Sequence, residues 1–191
     1  MLAHEKIRKS KTVADILKLL ALQIGKEVSL SEVGQNIGLD QKTVRRYLDI
    51  LEQSFVIFSI GGYSGNMRNE VTSKRKYCFY DNGIRNALIS DFSAFDTRID
   101  KGMLWENFIV YERFKYLSYC GKHFNRYFWR TFDRQEIDYV EDGGGHLCGY
   151  EIKVKDRKVR TPAQWERSYP HASFDLIHAD NYQDFVCPRD L

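Results

Sequence analysis

The four cysteines of this 191-residue chain, Cys78, Cys120, Cys148 and Cys187, stand far apart and form no CxxC pair. A zinc site needs clustered Cys or His, and the five histidines do not supply it. Free thiols in a reducing, cytoplasmic compartment are the expectation. No apolar run approaches the roughly 20 residues that cross a bilayer. The opening MLAHEKIRKSK has no apolar core of the kind a secretory signal needs. No membrane partner is therefore expected. GxxxxGK[ST] occurs nowhere, so the chain has no phosphate-cradling loop, no ATP site and no expected ATP hydrolysis of its own. Internal repeats and low-complexity tracts are also missing. An excess of one charge is nearly missing too, the net value being +3. That small surplus lies in residues 1–96, with 14 Lys/Arg against 11 Asp/Glu, whereas residues 97–191 balance at 15 and 15. The first half is where a phosphate-binding face would be useful.

What is present is an ordinary globular composition, rich in aromatics. In TVADILKLLALQIG (12–25) Val13, Ile16, Leu17, Leu20 and Ile24 recur at helical spacing, and Gly25 ends the run. Ser29 with Glu32 is a capping-box pattern opening a short helix to about Ile37. Gly38 permits a sharp turn. Asp40 then caps QKTVRRYLDILEQ, in which Val44, Leu48 and Leu51 share one buried stripe. FVIFSI (55–60) and KYCFY (76–80) are rich in β-formers and flank a polar, Gly-containing loop. A brief helix to about Leu88 follows the turn signal Asp81-Asn-Gly83.

Helix, short helix, Gly turn and basic third helix make a helix-turn-helix pattern, and the β-like pair with its loop reads as a wing. The third helix presents Lys42, Thr43, Arg45 and Arg46. The wing adds Arg68, Lys74 and Arg75. Such residues reach phosphates, and Arg reads guanine edges in the major groove. The same pattern also serves structural and protein-binding modules, whose basic face is merely solvated.

Residues 90–100 read as a connector, giving expected domains at 1–92 and 93–191. Beyond it, GMLWENFIVYERFKYLSYCG reads as one long helix. Three β-like stretches follow at 125–131, 136–142 and 146–155. Gly143-Gly-Gly145 joins the last two as a hairpin. Pro162 can start another helix, and 172–178 reads as a final strand. Asp138 falls in one strand of the hairpin, while Glu151 and Lys153 fall on the same face of the other. Two carboxylates and an ammonium then converge, an arrangement suited to metal-assisted phosphodiester hydrolysis. Magnesium prefers oxygen ligands, which Asp138, Glu151 and the carbonyl of Ile152 can supply. The ion would acidify a bound water, and Lys153 would position it or offset phosphorane charge. Glu106, one turn into the long helix, is a candidate further carboxylate. The competing reading is an amphipathic hairpin whose surface charges simply pair.

Asp138, the Gly-rich turn and the E-x-K of Glu151-Ile152-Lys153 resemble the PD-(D/E)xK phosphodiesterase superfamily. That resemblance implies a small restriction-endonuclease-like α/β domain, with Gln164 as an accessory residue. The whole chain looks like the C-terminal part of a group of bacterial and archaeal AAA+ ATPases. The matching stretches are SLSEVGQNIGLDQKTVRRYLDILEQSFVIFSI, KRKYCFYDNGIRNAL, GMLWENFIVYERF, EIDYV and YEIKVKD, with the P-loop domain missing. It implies a winged helix followed by a nuclease-like domain of unknown function. DNA and the missing ATPase domain are the implied partners, and magnesium the implied cofactor. A catalytically inactive module that docks an ATPase or another protein is the alternative.

Overall fold

The computed structural model describes residues 2–65 and 74–187. The chain has a mixed α/β fold and divides into two compact units, one drawn from Met1–Ser59 and Lys74–Arg98, the other from Ile60–Ser73 and Ile99–Leu191.

The first unit runs α1 (Leu2–Leu22), β1 (Glu27–Val28), α2 (Leu30–Ile37), α3 (Gln41–Gln53), the start of β2 (Ile57–Gly62), β3 (Arg75–Phe79) and α4 (Asn82–Leu88). Local chemistry sets these boundaries. Ser29 caps α2 by accepting the Glu32 N–H at 3.3 Å. Gly38 closes the helix in the left-handed region at φ 70°, donating its N–H to Gly34. Gly34 itself is required for close approach, because a Cβ there would lie 2.4 Å from the Leu39 carbonyl oxygen. Asp40 caps α3 through the Thr43 N–H at 2.9 Å. The expected stripe of Val44, Leu48 and Leu51 is buried, and it joins Ile16, Leu20, Ile24, Val33, Ile57 and Phe79 in the core.

Strand β2 begins later than the FVIFSI pattern suggests. Phe55 adopts φ 55° and Val56 donates back to the Leu51 carbonyl, so the end of α3 uses two residues with strand-like side chains to turn the chain. Strand β1 pairs antiparallel with β3, which neighbours β2. Asp81 caps α4, and the buried Arg85 donates from Nε to the Ala21 carbonyl at 2.9 Å, fastening α4 to the end of α1.

The second unit begins with the end of β2 and continues through α5 (Lys101–Tyr119), β4 (Asn125–Arg130), β5 (Glu136–Gly143), β6 (His146–Ile152), α6 (Ala163–Ser168), β7 (Ser173–Ile177) and α7 (Tyr182–Val186). Gly61 pairs parallel with Tyr127, β4–β5–β6 form an antiparallel meander, and β7 joins parallel to β6 after the α6 crossover. The β5–β6 hairpin turns through Gly144 and Gly145 at φ 61° and 78°, both in the region that favours glycine. Helices cover both faces of this sheet. Val140 packs with Trp129, Ile137 and Trp165 of α6 on one face. Its neighbours Tyr139 and Glu141 point to the other, where Glu141 pairs with Arg113 of α5 and Tyr150 lies 4.6 Å from the Phe185 ring of α7. Helix α7 has no counterpart in the sequence reading. Among the described residues no helix is long and apolar enough to cross a membrane.

Candidate functional site

The carboxylate–lysine cluster is built on the β5–β6 hairpin. Tyr127 of β4 pairs with Val140 and Trp129 pairs with Ile137, so two steps along β4 face three along β5. The extra residue lies at Asp138–Tyr139, a β-bulge of the kind that re-aims a side chain. Asp138 is buried at 3% exposure, a position a carboxylate tolerates only with partners. Its Oδ2 accepts the Ile152 backbone N–H at 2.8 Å and the Lys153 ammonium at 2.9 Å. The same ammonium lies 2.7 Å from Glu151 Oε1. Both carboxylates thus converge on one cationic centre. Strand β6 ends at Ile152, yet the Lys153 N–H still donates to Ile177 at 2.9 Å, which fixes the lysine backbone beside the strand end.

Burial grades across the cluster, from 4% side-chain exposure at Asp138 to 13% at Glu151 and 26% at Lys153, so the set opens to solvent at its lysine end. Burial, then the charge of Asp138, pushes the Glu151 carboxyl above its usual range, despite the Lys153 bond that opposes the rise. Burial works to lower the Lys153 ammonium, but the combined pull of Asp138 and Glu151 leaves it raised. A guanidinium that sequence reading did not single out, Arg157, lies 3.7 Å from Glu151 Oε1.

Asp138 and Glu151 are the residues of this set that could hold a hard divalent cation. The two carboxylates already meet at a positive centre, and magnesium, which retains several waters, needs no more than one or two carboxylates. Among the described residues no group of three or more His, Cys, Asp or Glu stands together as a metal cage. Glu106 is half-buried in α5 and is not gathered with Asp138 and Glu151 into such a set. Gln164, the expected accessory residue, lies in α6. Its backbone N–H donates to Gln135 Oε1 at 3.1 Å, and its side-chain amide donates to Ser168 at 3.1 Å.

In the first unit, Lys42, Arg45 and Arg46 are exposed on the outer side of α3, opposite the buried stripe. Thr43 is half-buried and occupied otherwise, with N–H and Oγ1 donating to the Asp40 carboxylate at 2.9 and 2.7 Å. Those bonds, the side-chain one first, lower the Asp40 carboxyl below its ordinary value. Thr43 thus takes part in capping α3. Arg75 is half-buried in β3, its Nη1 donating to Ser59 at 2.9 Å. Lys74 is exposed, 3.8 Å from Glu27. Arg68 lies outside the described residues.

A second polar pair, buried at Glu141 and half-buried at Arg113, ties β5 to α5. Arg113 grips Glu141 through two bonds of 2.8 and 2.9 Å and donates to the Phe185 carbonyl at 2.7 Å. Its guanidinium also lies 4.3 Å from the Phe185 ring. The signal for it was an acidic residue in a strand with an apolar neighbourhood, Val140-Glu141, which only the partner on α5 explains.

Two family models match the chain, one after the other. Residues 1–95 match the family model of a domain of unknown function (DUF8612). Residues 101–173 match that of another (DUF4143), a domain found with AAA-type ATPases. Uncharacterized proteins of Mycobacterium bovis and Mycobacterium tuberculosis are each 28% identical over 160 residues, 83% of this chain. The match spans 34% of their length, so the chain corresponds to about a third of those relatives. No solved structure matches the chain.

Proposed function

We propose that the chain is a DNA-interacting module of an AAA+ ATPase-like protein, whose second unit is a magnesium-dependent, PD-(D/E)xK-like phosphodiesterase. The observation that carries the catalytic half is the convergence of Asp138 and Glu151 on a single cation, the Lys153 ammonium. A surface hairpin that merely pairs its charges has no need to bury Asp138 at a bulge or to hold Glu151 where ionisation is disfavoured. Carboxyl groups perturbed by burial plus a specific charged partner mark functional sites more often than ordinary surfaces. Asp138, Glu151 and the Ile152 carbonyl are the groups that would hold the ion. When bound, the ion would polarise a phosphodiester oxygen and acidify a water. Of the chain's own groups, Asp138 is pre-positioned by the Ile152 N–H, and Lys153, at the solvent-facing end, is placed to neutralise charge on a phosphate.

In support of the DNA half, the first unit runs helix, short strand, two helices, two strands and a last helix, an order a winged helix-turn-helix could have, and α3, which exposes Lys42, Arg45 and Arg46, would be its reading helix. A protein-docking or structural module is the second reading. It is favoured by one observation, that the Lys153 ammonium already bridges both carboxylates. The test is nicking of supercoiled DNA with magnesium or manganese by the chain and its Asp138→Asn and Lys153→Ala variants. Metal-dependent nicking that both variants lose supports the phosphodiesterase. Activity that survives Asp138→Asn, or no nicking by the folded chain, overturns it in favour of the docking module.

A further inference from the structure

We infer that the irregular segment 153–162 and the β4–β5 turn form a track for single-stranded nucleic acid leading to the carboxylate–lysine cluster, an inference that rests on the phosphodiesterase reading and names its substrate class. Between Lys153 and Arg160 the sequence KVKDRKVR holds five basic residues against one acidic. Lys155, Arg157, Lys158 and Arg160 are all exposed, and the segment is neither helix nor strand. This concentration of positive charge stands out because residues 97–191 as a whole are charge-balanced. It begins at the cluster itself, where Arg157 lies 3.7 Å from Glu151. It ends at Pro162, which opens α6.

At that end the track meets the β4–β5 turn, through the Gln164 N–H donating to Gln135 Oε1. The turn is internally braced. Thr131 and Gln135 bond to each other, and Arg134 holds φ 63°. It carries Phe132 fully exposed. A phenyl ring held in water on a braced turn, bonded through Gln135 to the helix that follows a run of Lys and Arg, supplies the two elements by which single strands are bound, backbone-tracking charge and a stacking platform. A duplex would offer the charge partner but keep its bases stacked inside. An acidic peptide would use the basic residues but has no bases to place on the ring.

The test is fluorescence anisotropy with a labelled oligothymidylate in EDTA, so that cutting plays no part, using the full chain, Phe132→Ala, and the triple variant Lys155→Gln/Lys158→Gln/Arg160→Gln. Arg157 is left intact because it touches Glu151. The triple variant should bind at least about 10-fold more weakly and flatten the log–log salt dependence by about 2, at roughly 0.7 per phosphate lost. Phe132→Ala should weaken binding about 10-fold with the salt slope unchanged, as expected for one lost stacking contact. A duplex of matching length should be affected much less by Phe132→Ala. Unchanged binding in the triple variant overturns the track. Full competition by polyglutamate at matched charge overturns it too and assigns the surface to an acidic protein. Failure of these assays with DNA nicking intact would reject the track alone. Normal oligothymidylate binding without nicking would reject the catalytic reading alone.

Discussion

Single side chains in the cluster differ in whether they hold the fold or are held by it. Asp138 belongs to the first kind. Replacing it with Ala leaves the Ile152 N–H without its acceptor and the Lys153 ammonium with Glu151 alone, at a cost of about 2–4 kcal/mol. Glu151 belongs to the second kind. Its carboxyl is raised above the ordinary 4.5, so the folded chain binds that proton more tightly than the unfolded chain does. The folded state is therefore penalised once Glu151 ionises. The penalty is absent below about pH 4.5 and develops as pH rises through the raised value. Glu151→Gln should accordingly melt at the same temperature as the parent or higher at pH 7, with the advantage lost at acid pH. A lower melting temperature at pH 7 would show that Glu151 is a structural partner of Lys153. A site residue that costs stability is what a functional role leads one to expect.

The residues of this cluster were legible in the sequence because strand alternation and a Gly-Gly turn leave few ways to place Asp138 relative to Glu151-Ile152-Lys153. The bulge at Asp138–Tyr139 was not legible, since it is decided by the pairing with β4, a partner that EIDYV does not name. Arg157 was missed for a similar reason. Nothing local distinguishes it from its basic neighbours until the chain folds back toward Glu151. The Thr43–Asp40 bond was also readable in principle: a Thr three residues after an Asp N-cap is placed to bond that cap, and here it does.

Among elements, the α2–α3 turn and the α5–β5 contact are the most sharply constrained. Gly34→Ala would push a methyl against the Leu39 carbonyl, a backbone group that can yield only by displacing α3. The expected cost is about 1–3 kcal/mol by chemical denaturation, and a near-neutral result would mean the turn is softer than its spacing implies. Glu141→Ala would leave the Arg113 guanidinium buried against aromatic rings without its carboxylate, at a cost of about 3–5 kcal/mol. Arg113→Met/Glu141→Leu together should cost far less, because no charge is stranded. Equal losses in the single and double variants would contradict that account. Helix boundaries were readable at caps, with Ser29 and Asp40 in the expected places, whereas Asp81 caps α4 so that the expected turn residues Asn82 and Gly83 already belong to the helix. They were unreadable where tertiary contacts decide, as at Phe55, whose β-forming ring sits in a left-handed turn, and at α7, five residues held by Arg113 and Tyr150 rather than by any pattern of its own.

For the molecule as a whole, the two units carry separable claims. Duplex binding through α3 predicts that Lys42→Gln/Arg45→Gln/Arg46→Gln lowers the log–log salt slope by nearly 3, at about 0.9 per phosphate contact. Duplex affinity with an unchanged slope in that variant would remove α3 from the interface. The phosphodiesterase claim depends on whether Asp138 and Glu151 accept a divalent ion where they now share an ammonium. The measurement that bears on it most directly is a calorimetric titration of the chain with magnesium, and with manganese for a stronger signal, without nucleic acid. A single site is predicted, abolished by Asp138→Asn and tightened by Lys153→Ala, which removes the competing positive charge. A silent titration in the folded chain and in Lys153→Ala alike would contradict it, and would leave the cluster as a buried ion-pair set holding the β5–β6 hairpin.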